Sequence, residues 1–164
     1  MSTLRTRAFS SVPTVAPWAV ATTFLLSLAG LAISTYLTIV HFDTAVVLTC
    51  PATGGVINCA KVTTSAQSHF LGMPVAVLGL ANYLAMTILN SPWVWKRPER
   101  WIATARFVLA FIGMAFVLWL IAAEVLIIGN ICLWCTAVHL VTFTLLVVLT
   151  RVAPRQLGWG TYER

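Results

Sequence analysis

Four cysteines are the residues of this chain best suited to redox chemistry. Cys132 and Cys135 stand in the segment ICLWC, and a C-x-x-C spacing at the start of a helix lets two sulfurs form a disulfide of poised reduction potential. Cys50 and Cys59 form a second, earlier pair with C-x8-C spacing. Two dithiols within reach of each other can relay electrons by thiol–disulfide exchange, in which a thiolate attacks a disulfide sulfur. We therefore predict dithiol chemistry at all four positions.

Structural interpretations of the same cysteines remain open from spacing alone. A disulfide between Cys50 and Cys59 that staples a loop of about ten residues is common in secreted proteins. A C-x-x-C disulfide closes too little chain to be an efficient staple, which favours a redox role for Cys132 and Cys135. Four cysteines can also bind zinc, but a C-x8-C arm differs from the short paired spacings of most structural zinc sites.

The elements that position these residues are predicted to be membrane helices. The chain has 164 residues, of which 60% are hydrophobic and 9% charged. Its mean hydropathy is +0.93, which excludes an ordinary soluble domain. A spanning helix needs about 20 apolar residues. We predict an all-α membrane protein, a four-transmembrane-helix bundle in a single domain over 1–164, with spans at about 18–42, 72–91, 102–127 and 131–151.

The first predicted span could instead be a signal peptide, because Arg5 and Arg7 precede it and small residues lie within it. Its apolar run continues to Val40, which is too long for a signal-peptide core. We therefore predict that the segment stays in the membrane.

Positive charge predicts the orientation of the bundle, because Lys and Arg in short loops are retained in the cytoplasm. On the opposite side from the cysteines lie nine of the ten basic residues: Arg5, Arg7, Lys96, Arg97, Arg100, Arg106, Arg151, Arg155 and Arg164. Lys61 alone lies on the cysteine side. We predict cytoplasmic termini and an extracytoplasmic active site in the cell (inner) membrane. The net charge of +6 then reflects topology, and no nucleic-acid partner is expected.

The outer-face loop 43–71 is expected to contain a short helix. Asn58 is a suitable N-cap for a helix over about Cys59–His69, and this cap places Cys59 in the first turn, where free N–H groups and the helix dipole favour a thiolate. Between the third and fourth spans, Gly129 predicts a tight turn and Asn130 predicts the N-cap of the last helix.

Electrons from this site need an acceptor that dissolves in lipid. Cys135 lies one turn deeper than Cys132, so Cys132 is expected to exchange with the loop and Cys135 to face the acceptor. A quinone, either ubiquinone or menaquinone, is the predicted acceptor, since the chain carries no Rossmann glycine pattern, haem motif or P-loop. His139 shares one helical face with both cysteines and is predicted to donate a hydrogen bond or a proton to a quinone oxygen. The alternative is a neutral histidine bonded to a neighbouring helix.

Three further polar residues are candidates for contacts with the quinone. Glu124, near the outer end of the third span, is predicted to accept protons, unless its carboxylate merely reaches the interface water. Asn82 and Tyr83 in the second span are predicted to contact the quinone, although polar side chains often only join membrane helices.

Three segments carry a resemblance to a known family. They are "CAKVTTS" from Cys59 to Ser65, "FLGMPVAVLGLANY" from Phe70 to Tyr83, and "ICLWC" from Ile131 to Cys135. With Cys50 and Cys59 in the preceding loop, the chain resembles the vitamin K epoxide reductase family over nearly its whole length, including the bacterial homologues that drive disulfide formation.

The resemblance implies roles for individual residues. It implies a four-helix bundle around a quinone, with Cys132 and Cys135 as the active-site pair and Cys50 and Cys59 as the shuttle pair. It further implies that Cys59 exchanges with Cys132, that Cys135 reacts with the quinone, and that Ser65 lies near the catalytic centre.

Departures from the family pattern shape the expected function. Many bacterial members carry a fused thioredoxin-like domain, and its absence here implies a separate thioredoxin-fold (DsbA-like) partner. DsbB-type quinone oxidoreductases carry their C-x-x-C in the first outer loop, so the order of motifs disfavours them. His139 stands where the animal enzymes carry a tyrosine, which disfavours epoxide reduction. The expected function is thiol:quinone oxidoreduction that supports disulfide-bond formation, and the alternatives are a vitamin K epoxide or quinone reductase and a non-enzymatic membrane redox sensor.

Overall fold

The computed structural model describes residues 15–43, 45–50, 54–97 and 99–157. Four long helices dominate it and confirm the predicted all-α membrane bundle. The helices are α1 (Pro17–Phe42), α2 (Cys59–Thr63), α3 (Val75–Leu89), α4 (Pro92–Trp95), α5 (Arg100–Ala122) and α6 (Leu133–Leu157). A 3-10 turn (Ala66–Ser68), two short strands, β1 (His69–Phe70) and β2 (Met73–Pro74), and a π-helical turn (Ala123–Ile128) complete the structure.

Length and hydropathy make the chain an integral membrane protein. Pro17–Phe42, Arg100–Ile128 and Leu133–Val152 are each long and apolar enough to cross a membrane. The second predicted span is shorter than expected, because α3 has only 15 residues. It begins at Val75 rather than at 72, since Met73 and Pro74 belong to strand β2.

The four long helices pack in pairs around a shared core. Helix α1 packs against α3 and α6, and α5 packs against α6 and α3. Small residues permit close approach: a Cβ atom at Gly30 of α1 would overlap the ring of Tyr83 on α3. The core beneath this contact is formed by buried apolar side chains that include Ala19, Met86, Ala110, Leu145 and Leu149.

Helix α2 has the predicted cap but is shorter than predicted. Asn58 Oδ1 accepts the backbone N–H of Lys61 at 2.9 Å, as expected for an N-cap. The helix ends at Thr63 rather than near His69. Hydroxyl groups of Thr63, Thr64 and Ser65 donate to carbonyls of the same helix, and such local bonds compete with helix continuation.

A β-hairpin follows where the sequence analysis placed the end of that helix. Strands β1 and β2 are antiparallel, with His69 opposite Pro74 and Phe70 opposite Met73. Leu71 (φ 52°) and Gly72 (φ 81°) form the turn in the left-handed region. The hairpin leads directly into α3.

The turn before α6 corrects one prediction and confirms another. Gly129 adopts the left-handed conformation (φ 67°), as expected for a tight turn. Asn130 is not the N-cap, because α6 begins at Leu133. Its side-chain amide instead donates to the carbonyl of Val56 at 3.2 Å, and Cys132 occupies the residue before the helix.

The basic residues can be placed in part. Lys96, Arg97 and Arg100 lie at the end of the bundle that joins α3 to α5, opposite the end that carries Lys61. Arg106 is buried, donates from Nε to the carbonyl of Leu89 at 2.8 Å, and stacks on a tryptophan ring. The predictions that concern Arg5, Arg7, Arg164 and the side chain of Arg155 lie outside the described residues.

Candidate functional site

The four cysteines come together at one end of the bundle. Cys50 and Cys59 form a disulfide with Cα atoms 5.9 Å apart, while Cys132 and Cys135 are free thiols. Cys59 and Cys132 are 1% and 0% exposed and pack in one cluster with Val62. Cys50 and Cys135 pack against the same cluster and are only partly buried. The disulfide and the C-x-x-C thiols are therefore neighbours.

Backbone hydrogen bonds hold the two cysteine pairs next to each other. The N–H of Ile131 donates to the carbonyl of Val56 at 2.8 Å, and the N–H of Asn58 donates to the carbonyl of Ile131 at 3.1 Å. Cys59 directly follows Asn58, and Cys132 directly follows Ile131. This short parallel bridge therefore places the buried cysteine of each pair beside the other.

Cys132 serves as the cap of α6. Its Sγ accepts the backbone N–H of Cys135 at 3.4 Å. Free N–H groups and the positive end of the dipole of a long helix stabilise negative charge at that position. The same geometry stabilises a thiolate on Cys132, which is the form of cysteine that exchanges with disulfides.

Below the cysteines lies a cavity of about 1020 Å³ between the helices. Cys132, which is fully buried, does not line the cavity, whereas Cys135 does. Every non-cysteine candidate from the sequence also lines it: Ser65, Asn82, Tyr83, Glu124 and His139. The structure therefore brings together all the predicted site residues, either in the cysteine cluster or around this cavity.

The candidate residues of the cavity differ in their hydrogen bonds and packing contacts. Tyr83 is 2% exposed, and its hydroxyl forms a 2.7 Å hydrogen bond with Thr142 Oγ1 and donates to the carbonyl of Val138 at 3.1 Å. Tyr83 therefore joins α3 to α6, the structural alternative that the sequence left open for it. Asn82, one residue earlier, faces Gly113 of α5, where an added Cβ would lie 3.3 Å from the amide nitrogen.

Glu124 and His139 are buried polar residues of the cavity wall. Glu124 is 5% exposed and lies beside the Cys135 thiol and the backbone of Cys132. His139 is 7% exposed and lies one helical turn beyond Cys135. Two groups that can exchange protons therefore lie in the cavity wall near Cys135.

The sequence analysis missed a contact made by the tryptophan between the two C-x-x-C cysteines. The indole N–H of Trp134 donates to the carbonyl of Thr49 at 2.8 Å, next to Cys50. Its ring centroid lies 5.0 Å from that of Tyr36 on α1, and the Tyr36 hydroxyl accepts the N–H of Thr49 at 3.2 Å. The indole N–H between the two cysteines of the C-x-x-C motif was the feature of the sequence that could have predicted a hydrogen bond here.

The chemistry of the cavity lining suits a quinone. The Cys50–Cys59 disulfide removes two of the thiolates that a four-cysteine zinc site needs. Among the described residues, no group of three or more His, Cys, Asp and Glu side chains is placed to hold a metal. A largely apolar cavity with a few convergent polar groups suits a flat, mostly apolar ring whose oxygens need hydrogen-bond donors.

Comparison with known proteins identifies the family. A family model described as the vitamin K epoxide reductase family matches residues 21–150, which include all four cysteines and every cavity residue discussed above. No curated protein matches the chain. The family implies membrane oxidoreductase activity on thiols and quinones in general. Because the match covers most of the 164 residues and agrees with the four-helix bundle and its cysteine cluster, the chain belongs to the vitamin K epoxide reductase family.

Proposed function

We propose that this protein is a thiol:quinone oxidoreductase that takes electrons from a thioredoxin-fold (DsbA-like) protein and passes them to a quinone, thereby supporting disulfide-bond formation. One observation carries the proposal. Cys59 and Cys132 are buried together, while Cys135 alone of the four cysteines lines the cavity. The cysteines thus form a continuous path from the outer loop to the cavity.

The first transfer takes place at the loop disulfide. Cys50 is partly exposed and Cys59 is buried, so the partner thiolate attacks Cys50 and Cys59 leaves as a thiolate. The second partner thiol then attacks the mixed disulfide. The partner leaves oxidised, and both loop cysteines are reduced.

The second transfer takes place between the buried cysteines. Once Cys132 and Cys135 form a disulfide, the Cys59 thiolate attacks Cys132, and Cys135 leaves toward the cavity. Cys50 then attacks Cys59, which restores the loop disulfide and frees Cys132. The described structure, with an oxidised loop pair and reduced Cys132 and Cys135, corresponds to the state ready to reduce a quinone.

The cavity residues orient and protonate the acceptor. A bound quinone supplies a two-electron, two-proton sink, and ubiquinone or menaquinone fills that role. His139 and Asn82 present hydrogen-bond donors to its ring oxygens, and Ser65 lies at the outer part of the wall near α2. Tyr83 holds α3 against α6 and so fixes the wall behind Asn82.

The orientation proposed for the bundle is the one that the charges favour. Lys96, Arg97 and Arg100 at the end distant from the cysteines face the cytoplasm, together with both termini. The cysteine cluster then faces the extracytoplasmic side of the cell (inner) membrane, where disulfides persist.

The test is a reconstitution of the relay in detergent. Purified protein is mixed with a thioredoxin-fold (DsbA-like) protein in its dithiol form and with ubiquinone or menaquinone. Quinone absorbance is followed for the wild type and for Cys135→Ala. We expect quinol formation that depends on Cys135. No turnover with either quinone from a folded protein with an intact loop disulfide would contradict the proposal and direct attention to vitamin K epoxide reduction or to a sensor role.

A further inference from the structure

Glu124 stands out among the acidic residues. Of the three acidic residues in the described chain, Asp43 and Glu99 are exposed, and Glu124 is 5% exposed inside the bundle. An ionisable group in the membrane interior is costly and usually has a function. The carboxylate lies next to the Cys135 thiol, and both line the cavity.

The end of α5 explains why Glu124 meets this thiol. The π-helical turn Ala123–Ile128 is closed by left-handed Gly129, and the N–H of Asn130 donates to the carbonyl of Glu124 at 3.2 Å. The chain therefore reverses within a few residues and enters α6 beside the turn it has just left. Wide turns of this kind are frequent at functional sites.

We propose, resting on the relay above, that Glu124 is a catalytic residue that takes the proton of the Cys135 thiol when the cysteine pair reduces a quinone. The proton and electron balance is complete. The Cys135 proton passes to a carboxylate oxygen of Glu124, a bond forms between the sulfurs of Cys132 and Cys135, and two electrons leave for the quinone. The proton on Glu124 and the proton released from Cys132 end on the two quinone oxygens. Two thiols and one quinone thus give one disulfide and one quinol.

The neighbours of Glu124 define the background in which to test it. Cys132 and Cys135 face it from the start of α6, His139 lies one turn further along α6, and Tyr83 lines the same cavity from α3. A Cys132→Ser background removes the second free thiol and leaves Cys135 as the only one. His139 and Tyr83 stay unchanged in every variant compared.

The first readout needs no quinone. Maleimide reacts with the thiolate of Cys135, so its rate reports how much thiolate is present. When a thiol and a carboxylate share one proton, that proton moves between the two groups, and the equilibrium between them sets the fraction of thiolate. The maleimide rate is then independent of pH over the range in which the pair holds one proton. We expect this plateau with Glu124 present. In Glu124→Gln the rate should rise tenfold per pH unit, as for a lone thiol below its pKa.

The second readout is quinone reduction with the cysteines intact. Glu124→Gln should slow the quinone-dependent step by about 100-fold or more, the usual range for loss of a general base. Reduction of the loop disulfide by the partner should proceed as in the wild type. Glu99→Gln, which changes an exposed carboxylate at the start of α5, is the matched control and should keep both the plateau and the turnover.

The outcomes separate the two proposals. A rate that rises tenfold per pH unit both with Glu124 present and in Glu124→Gln, or wild-type turnover in Glu124→Gln, would overturn the role of Glu124. A protein that shows the plateau with Glu124 present, yet reduces neither quinone when its cysteines are intact, would instead overturn the relay.

Discussion

At the scale of single residues, Cys132 combines two roles. Its sulfur accepts the N–H of Cys135 and so caps α6, and the same sulfur is the one buried against Cys59. A helix cap normally uses an oxygen of Ser, Thr, Asp or Asn. In the proposed relay the capping group is also the group that exchanges, so the helix end would hold the thiolate in place before it reacts.

Substitution of Cys132 can separate these roles. Cys132→Ser retains a hydroxyl that accepts the Cys135 N–H, whereas Cys132→Ala loses the cap at a cost of about 1 kcal/mol. We expect quinone reduction to be abolished in both variants, and we expect the serine variant to unfold at the higher temperature. Thermal unfolding in detergent and quinone turnover measure the two effects. Equal unfolding temperatures would contradict the capping role.

Residue types and helix periodicity predicted which side chains lie together better than they predicted the local geometry. The cysteines, Glu124 and His139 could be placed near one another from helix periodicity and the order of the spans. The cap was assigned to Asn130 because asparagine is a favoured N-cap residue, but the Asn130 side chain donates to the carbonyl of Val56 across the loop. A partner 74 residues away in sequence leaves no local signal.

At the scale of elements, the outer loop is fastened to the start of α6 at two points. One is the parallel bridge between Ile57 and Ile131, and the other is the Trp134 hydrogen bond to Thr49. The first fixes Cys59 beside Cys132, and the second restrains the residue before Cys50. These two contacts were not predictable, because each joins single residues and prediction from sequence depends on periodic segments. The two-residue strands of the hairpin were missed for the same reason.

Trp134→Phe tests the second fastening. Phenylalanine keeps an aromatic ring against Tyr36 but cannot donate to the carbonyl of Thr49. We expect a loss of about 1 kcal/mol in stability, typical of one hydrogen bond, and faster reduction of the Cys50–Cys59 disulfide by a soluble dithiol because its arm is less restrained. Thermal unfolding and gel-shift alkylation measure these changes. An unchanged reduction rate would show that the hydrogen bond does not restrain Cys50. The control is Trp93→Phe, which replaces an exposed tryptophan at the other end of the bundle.

At the scale of the whole molecule, most of the basic residues in the described part of the chain lie at the end opposite the cysteines. The two lysines make the orientation measurable, because Lys61 lies beside the cysteine cluster, Lys96 lies at the distant end, and both are exposed. An amine reagent that cannot cross membranes should label Lys61 in intact cells and should label Lys96 only after the membrane is opened. Mass spectrometry of the labelled peptides gives the result, and Lys61→Arg should abolish the signal in intact cells. Labelling of Lys96 alone in intact cells would reverse the proposed orientation.

The shortness of α3 has a consequence for the lipid around the protein. Its 15 residues rise about 22 Å, against a hydrocarbon core of about 30 Å. Either the bilayer next to α3 therefore thins, or the segments that flank α3 lie within the hydrocarbon core. Each solution costs a fraction of a kcal/mol per Å of hydrophobic mismatch. Because α3 forms one wall of the cavity, that mismatch is concentrated beside the site. We therefore expect the acyl-chain length of the host membrane to act on this wall of the cavity more than on the walls formed by the longer helices.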